Sequence, residues 1–141
     1  MIVCKYKFDS NIYSNLIPEF NSGYNGYTVN DTVDGNIITR TIECDTLPTL
    51  MRFGQVWVDG EVQEDYTRCL LEVLDMNTSE LVNCYSMFRY CINLTQLDVS
   101  NFDTSKVTTM HAMFHNCNKL TQLDVSNFDT SNVTDRKSTR L

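Results

Sequence analysis

Residues 94–107 read LTQLDVSNFDTSKV, and residues 120–133 read LTQLDVSNFDTSNV. Thirteen of fourteen positions are the same, Lys106 giving way to Asn132, at an offset of 26 residues. The duplication reaches upstream, where MFRYC at 87–91 returns as MFHNC at 113–117. A worn third copy lies one period earlier: Leu71, Val73, Met76, Thr78, Ser79 and Leu81 fall in register with Leu97, Val99, Phe102, Thr104, Ser105 and Val107.

Each copy carries two periodicities. Leu94, Leu97, Val99 and Phe102 take the inward positions of a strand, while Gln96, Asp98 and Ser100 point the other way, as do Gln122, Asp124 and Ser126. Asp103-Thr104-Ser105 follows, three residue types that cap a helix N-terminus. From Val107 the apolar spacing becomes three or four (Val107, Met110, Met113/Phe114, Cys117, Leu120), the stripe of a helix. Leu81, Cys84, Met87/Phe88, Cys91 and Leu94 repeat that stripe one copy earlier. Asn116 and Asn118 tolerate the left-handed backbone that ends a helix.

A period of about 20–29 residues around an LxxLxV core reads as a leucine-rich solenoid. The expected fold is therefore an α/β solenoid of leucine-rich-repeat type, built of strand, capped turn and short helix. It spans residues 66–134 as one degenerate, one full and one truncated copy. After Val133 the pattern calls for another helix, but TDRKSTRL follows. Residues 135–141 thus read as a non-repeat tail, disordered or foreign. The strand expected over Leu120–Phe128 then exposes an edge without its covering helix, a surface for self-association.

Residues 1–65 follow the two-residue period of strands. Ile2, Cys4, Tyr6 and Phe8 alternate with Val3, Lys5 and Lys7, and Ile38, Arg40, Ile42 and Cys44 alternate with Ile37, Thr39, Thr41 and Glu43. NSGYNG at 21–26 is turn chemistry, with YTVND beyond it as a short strand; Thr49 to Phe53 is a further extended stretch. Asp59-Gly60 between apolar alternations is a hairpin signal, because both turn residues need positive φ. A small, mainly antiparallel β module is the expectation.

A net charge of −7 and a pI near 4.6 exclude ordinary nucleic-acid binding, which needs clustered Lys and Arg. Only Arg136, Lys137 and Arg140 cluster, in the tail. No stretch approaches the roughly 18–20 apolar residues of a membrane span, and the N-terminus lacks a signal peptide's continuous apolar region. The six cysteines occupy positions suited to small buried hydrophobes. Reduced core thiols are preferred, a bridge between Cys91 and Cys117 being the alternative. His111 and His115, four apart on the expected helix, lack the third ligand that zinc needs. The stacked Asp98/Asp124 and Asp103/Asp129 pairs offer too few oxygens for calcium. Neither a metal nor a cofactor is expected. No nucleophile, base and orienter can be assembled, so no enzyme is expected. Asn30, Asn77, Asn93 and Asn132 stand in N-x-Ser/Thr, read as turn and ladder residues rather than glycan sites.

The run from Leu94 to Val107, followed by Met-x-x-Met-Phe-x-x-Cys, resembles the BspA-type leucine-rich-repeat surface proteins of bacteria. The resemblance covers residues 71–134 and departs from the usual pattern at Phe102 and Phe128, where an Asn ladder is common. It implies surface display and adhesion to host proteins or other cells. On that reading the chain is a non-enzymatic interaction module whose face of Gln96, Asp98, Ser100, Gln122, Asp124 and Ser126 meets a protein or glycan on a cell surface. Similar arrays occur in proteins of bacterial viruses, and a structural or assembly component of such a particle is the alternative. Cell-surface or secreted placement follows from the resemblance alone.

Overall fold

The computed structural model describes residues 1–54, 57–62 and 67–135. Among the described residues nine strands form in chain order: β1 (Ile2–Asp9), β2 (Glu19–Phe20), β3 (Thr28–Asp34), β4 (Ile37–Glu43), β5 (Met51–Arg52), β6 (Trp57–Val58), β7 (Glu61–Val62), β8 (Leu70–Met76) and β9 (Gln96–Leu97). Five make one mixed sheet in the order β3-β4-β1-β8-β9, while β2–β5 and β6–β7 form two-stranded pairs. Among these strand pairs β8–β9 is the parallel one, and isolated parallel bridges join Leu50 to Asn83 and Asn83 to Thr109.

The two-residue alternation places the first strands. Cys4, Tyr6 and Phe8 of β1 are fully buried, and so is Ile42 of β4, but the expected alternation fails at the start of β1, where a register shift buries Val3 and leaves Ile2 38% exposed. Burying the Phe8 side chain alone contributes about 2–3 kcal/mol. Tyr6 keeps its hydroxyl satisfied by donating to the Leu16 carbonyl at 2.6 Å. Arg40 is buried on β4, and its guanidinium makes a two-pronged bond to Asp31 (2.7 and 2.6 Å) while also donating to Asn15 and the Leu16 carbonyl. Both contacts pin the 10–18 loop to the sheet. The Asp59-Gly60 turn forms as its residues require, with φ of 51° and 82°.

The α/β solenoid of leucine-rich-repeat type is not what this chain forms. It is a small all-β domain on a mixed five-stranded sheet, with no solenoid. Helical backbone occurs among the described residues only at Thr67 and Arg68. The stripes expected as helices are runs of turns. Met87, Arg89, Cys91 and Leu94 each donate their N–H to the carbonyl three residues back. Between them, the N–H groups of Cys84, Ser86, Phe88 and Tyr90 donate outward, to the carbonyls of Thr109, His111, Met113 and His115 in the next copy. A helix would need all of these within its own segment. Left-handed φ at Ser86 (54°) and Tyr90 (61°), and again at Ala112 (55°) and Asn116 (59°), breaks the helix at the same two places in each copy. Asn116 is left-handed as its sequence implied, but as an internal kink.

Two smaller corrections follow. No strand spans Leu120–Phe128; the stretch runs without strand pairing into a turn at Ser126-Asn127. In the worn copy, Val73 rather than Leu71 lies opposite Leu97. The 26-residue register returns by Thr78, whose Oγ1 accepts the N–H of Asp103 just as Thr104 accepts that of Asp129. The two extra residues are taken up at Asp98–Ser100, where the later copies turn while β8 stays extended to pair with β1. The expectation for the tail lies, from residue 136 onward, outside the described residues. Asp135 itself accepts from the Thr109 hydroxyl and from the Met110 N–H.

The segment Thr49–Gly54 serves as the surface on which the copies are laid. One column of bonds runs from Val82 N–H to Thr49 O, from Thr108 N–H to Val82 O, and from Thr134 N–H to Thr108 O, all 2.8–2.9 Å. Phe53, Phe88 and Phe114 stack alongside, with ring centroids 6.0 and 5.8 Å apart and planes within 9°. Gly54 lets the backbones meet, since a Cβ there would stand 1.8 Å from the Ser86 carbonyl oxygen. Gly54→Ala is therefore expected to lower unfolding free energy by about 3 kcal/mol, measured by urea denaturation; unchanged stability would show that this contact does not hold the two parts together. Ala112→Val forces a β-branched residue to a left-handed φ and is expected to cost about 2 kcal/mol, whereas Ala112→Gly costs nothing at that φ in the same melt.

Candidate functional site

The side chains expected to point outward do so. Gln96, Asp98, Ser100, Gln122, Asp124 and Ser126 are all exposed, while Leu97 and Val99 between them are buried. Leu123 and Val125, their counterparts in the second copy, are half-buried. The alternation is a consequence of extended backbone, in which successive side chains take opposite faces. Two shallow grooves cross this face. One, of about 460 Å³, runs past Leu74, Thr95, Gln96, Asp98, Thr121 and Gln122. The other, of about 190 Å³, is lined by Asp98, Ser100, Asp124, Ser126 and Asn127. Leu74 is 43% exposed and gives the first groove an apolar wall.

Repetition sets like carboxylates in successive copies, and the backbone offsets the repulsion. Asp98 and Asp124 each accept the N–H two residues on, from Ser100 and Ser126, at 2.9 Å. These bonds, with the serine side chains, hold both carboxyls below the usual carboxylate range. The face is therefore negatively charged at neutral pH. Asp103 and Asp129 make the same turn with Ser105 and Ser131 and are lowered for the same reason. They are turn residues, and Asn77 does the same work in the worn copy through Ser79. Asn93 and Asn132 also spend their side chains on backbone, donating to the Arg68 and Ser105 carbonyls.

The histidines are separated by their neighbours and lie on turns, not on the expected helix face. His111 stacks on Tyr85 (centroids 5.2 Å, planes 11° apart), and the Arg52 guanidinium also lies over the Tyr85 ring at 5.3 Å. His115 meets Tyr90 edge-on. Among the described residues no group of three His, Cys, Asp or Glu is placed to hold a metal ion. The six cysteines are free thiols. Cys91 and Cys117, one copy apart, reach the Phe53 and Phe88 carbonyls at 3.8 and 2.9 Å, and burial pushes Cys117 up to about 11. The thiol column thus repeats one contact across the copies.

Sequence reasoning missed Leu74, because the register slip in the worn copy hides which of its residues reach the groove. It also missed the Arg52–Tyr85–His111 column, whose only signal is the 26-residue spacing of Tyr85 and His111. Among the described residues no helix is long and apolar enough to cross a membrane.

Residues 61–139, more than half of the chain, match the model of a family described as Mycoplasma protein of unknown function, DUF285. This chain belongs to the DUF285 family. The matched span begins at β7 and takes in all three copies. No curated protein and no solved structure matches the chain.

The lowered carboxyls give a pH dependence of definite sign. A group whose folded pKa is depressed stabilises the fold above its unfolded pKa, and that stability is lost as pH falls through the folded value. Melting temperature is expected to fall on acidification through and below the ordinary carboxylate range. In the double variant Asp103→Asn, Asp129→Asn that fall is expected to shrink while stability at neutral pH is kept, since Asn77 shows that an amide oxygen accepts the same bond. An equally steep acid loss in the variant would assign the titration elsewhere.

Proposed function

We propose that this DUF285 protein is a non-enzymatic interaction module of the BspA-type surface class, binding a protein or glycan at a cell surface. The binding face is that of Gln96, Asp98, Ser100, Gln122, Asp124 and Ser126. The observation that carries the reading is the convergence of these six exposed side chains on two adjoining grooves. Support also comes from the resemblance of LTQLDVSNFDTSKV and MFRYC to the adhesive surface proteins of that class. The chemistry suits a polar partner with one apolar contact. Amide and hydroxyl groups donate and accept, the two carboxylates attract a basic group, and Leu74 supplies dry surface. Interfaces of this kind draw most of their energy from a few anchors within a polar rim.

The test is binding of the full chain to a glycan array and to immobilised cell-surface proteins, compared with Gln96→Ala, Gln122→Ala and with Asp98→Lys, Asp124→Lys. The amide pair is expected to weaken binding at least about tenfold, near 1.4 kcal/mol. The charge reversal weakens it further where the partner is basic. Binding unchanged in both variants would move the function off this face.

A further inference from the structure

We propose that β3 is the contact edge of a two-fold homodimer, in which the five-stranded sheets of two chains join edge to edge. This step stands apart from the function proposed for the polar face. β3 lies at one end of the strand order and β9 with the copies at the other, and all seven residues of β3 are exposed. Among the described residues no strand pairs with its outer side. Features that keep sheet edges from pairing are missing, since β3 carries no proline and no lysine and runs against β4 without a register shift.

The pairing with β4 dictates which backbone groups face outward. Gly35-Asn36 is a two-residue turn with Gly35 at φ 61°, so Asp34 and Ile37 close the hairpin as a hydrogen-bonded pair, and such pairs alternate along it. Thr28, Asn30, Thr32 and Asp34 therefore spend their N–H and C=O groups on β4. Those of Val29, Asp31 and Val33 point away from it. The side chains of these three take the core side of the sheet, opposite buried Ile42 and Arg40 and half-buried Ile38. Val29 and Val33 are nevertheless 39% and 65% exposed, because the strand that would flank them is lacking among the described residues.

A second copy of this chain fits the edge because the edge is complementary to itself about Asp31. In an antiparallel pair with the two-fold axis at Asp31, Val29 of each chain lies opposite Val33 of the other, and all three outward-facing residues form hydrogen-bonded pairs. On the other side of the sheet Thr28 meets Asp34 and Asn30 meets Thr32, polar pairs that bond across strands. A slip of two residues either way sets a valine against Asp31 and leaves an outward-facing residue unpaired, so the side chains select one register. The two Asp31 carboxylates face each other at the axis, but each is already held in the two-pronged bond to its own Arg40. Identical edges that pair across a two-fold axis give a closed dimer. At about 3.3 Å per residue the contact is roughly 23 Å long, which places it among the small interfaces, below about 1,200 Å², that come apart on dilution.

Sedimentation of the full chain over a dilution series tests this. The expected mass is twice the 16.3 kDa of one chain at high concentration, falling to one chain on dilution. Val33→Lys changes an exposed side chain, so it is expected to keep its circular dichroism and melting profile and to raise the dimer dissociation constant at least about tenfold. Val82→Lys, at a valine of the copies that is 38% exposed, is expected to leave that constant unchanged. Disulfide capture reads the register. Opposed residues of a non-hydrogen-bonded antiparallel pair stand about 4.5 Å apart at Cα, within disulfide reach. A mixture of Asn30→Cys and Thr32→Cys chains is therefore expected to cross-link under oxidised glutathione, while neither variant alone exceeds the parent. A single-chain mass for the parent at every concentration, an open-ended polymer, a folded Val33→Lys that dimerises equally well, dissociation by Val82→Lys, or a mixture that cross-links no better than either variant alone overturns the proposal.

Discussion

Every second N–H from Cys84 to Tyr90 leaves its own segment and ends on a carbonyl of the next copy. The rest of the structure depends on this alternation. Each bond adds only about 1 kcal/mol net, so their number is not what makes them decisive. Had the donors stayed within the segment as in a helix, the copies would present closed cylinders to one another. Directed outward, they fix which residue of one copy faces which residue of the next. Of the intervening N–H groups, those of Met87 and Arg89 close turns of three residues and that of Tyr85 donates to the Asn83 side chain, so the backbone is satisfied on both counts. The left-handed residues at Ser86, Tyr90, Ala112 and Asn116 make the alternation geometrically possible.

Fixing the register also fixes like against like. For Phe88 and Phe114, or Phe102 and Phe128, this is favourable, since the rings stack in parallel. For the aspartates it is not, because facing carboxylates repel by about 1 kcal/mol in water at close range. The conflict is met within each copy by giving every Asp the N–H two residues on, always from a serine. The one position that differs between residues 94–107 and 120–133 follows the same logic. Lys106 pairs with Glu80 across the worn copy at 2.8 Å. Asn132, which lies in register with Lys106, donates to the Ser105 carbonyl and brings no second cation.

How much could be read from the sequence varies with the kind of signal. Strand alternation in β4 and from Cys4 to Phe8 of β1 is written directly, as are the Asp59-Gly60 turn and the inward and outward division of LTQLDVSNF, whereas the register shift that exchanges Ile2 and Val3 is not. The helix reading failed for a physical reason. Successive three-residue turns space apolar side chains three or four apart, as a helix does, and the two differ only in where the N–H groups go. Among the residues that break the helix, Ser86, Tyr90 and Ala112 carry no left-handed preference, so nothing in their identity announces the kink. The polar face needed only alternation and was legible. Leu74 needed the true register of β8, which is set by pairing with β1, and that pairing leaves no local mark.

The distance between β1 and β8 along the chain raises the question of which part supports which. Cys4 pairs with Met76 across the sheet, while backbone bonds between copies join residues 24–26 apart. Closing the longer loop costs only about 1 kcal/mol more, because closure entropy grows with the logarithm of length. Entropy therefore favours the copies only slightly as the first structure to form. Burial does not favour them. One copy has a single apolar side and, alone, nothing to lay it against, whereas Cys4, Tyr6, Phe8, Ile42 and Phe53 are buried together around the sheet. The copies hold their shape because β1 keeps β8 in place and Thr49–Gly54 offers the Thr49 carbonyl and the Phe53 and Gly54 N–H groups as first partners. Each later layer inherits its register from the one before, and so depends on how well that earlier layer is held.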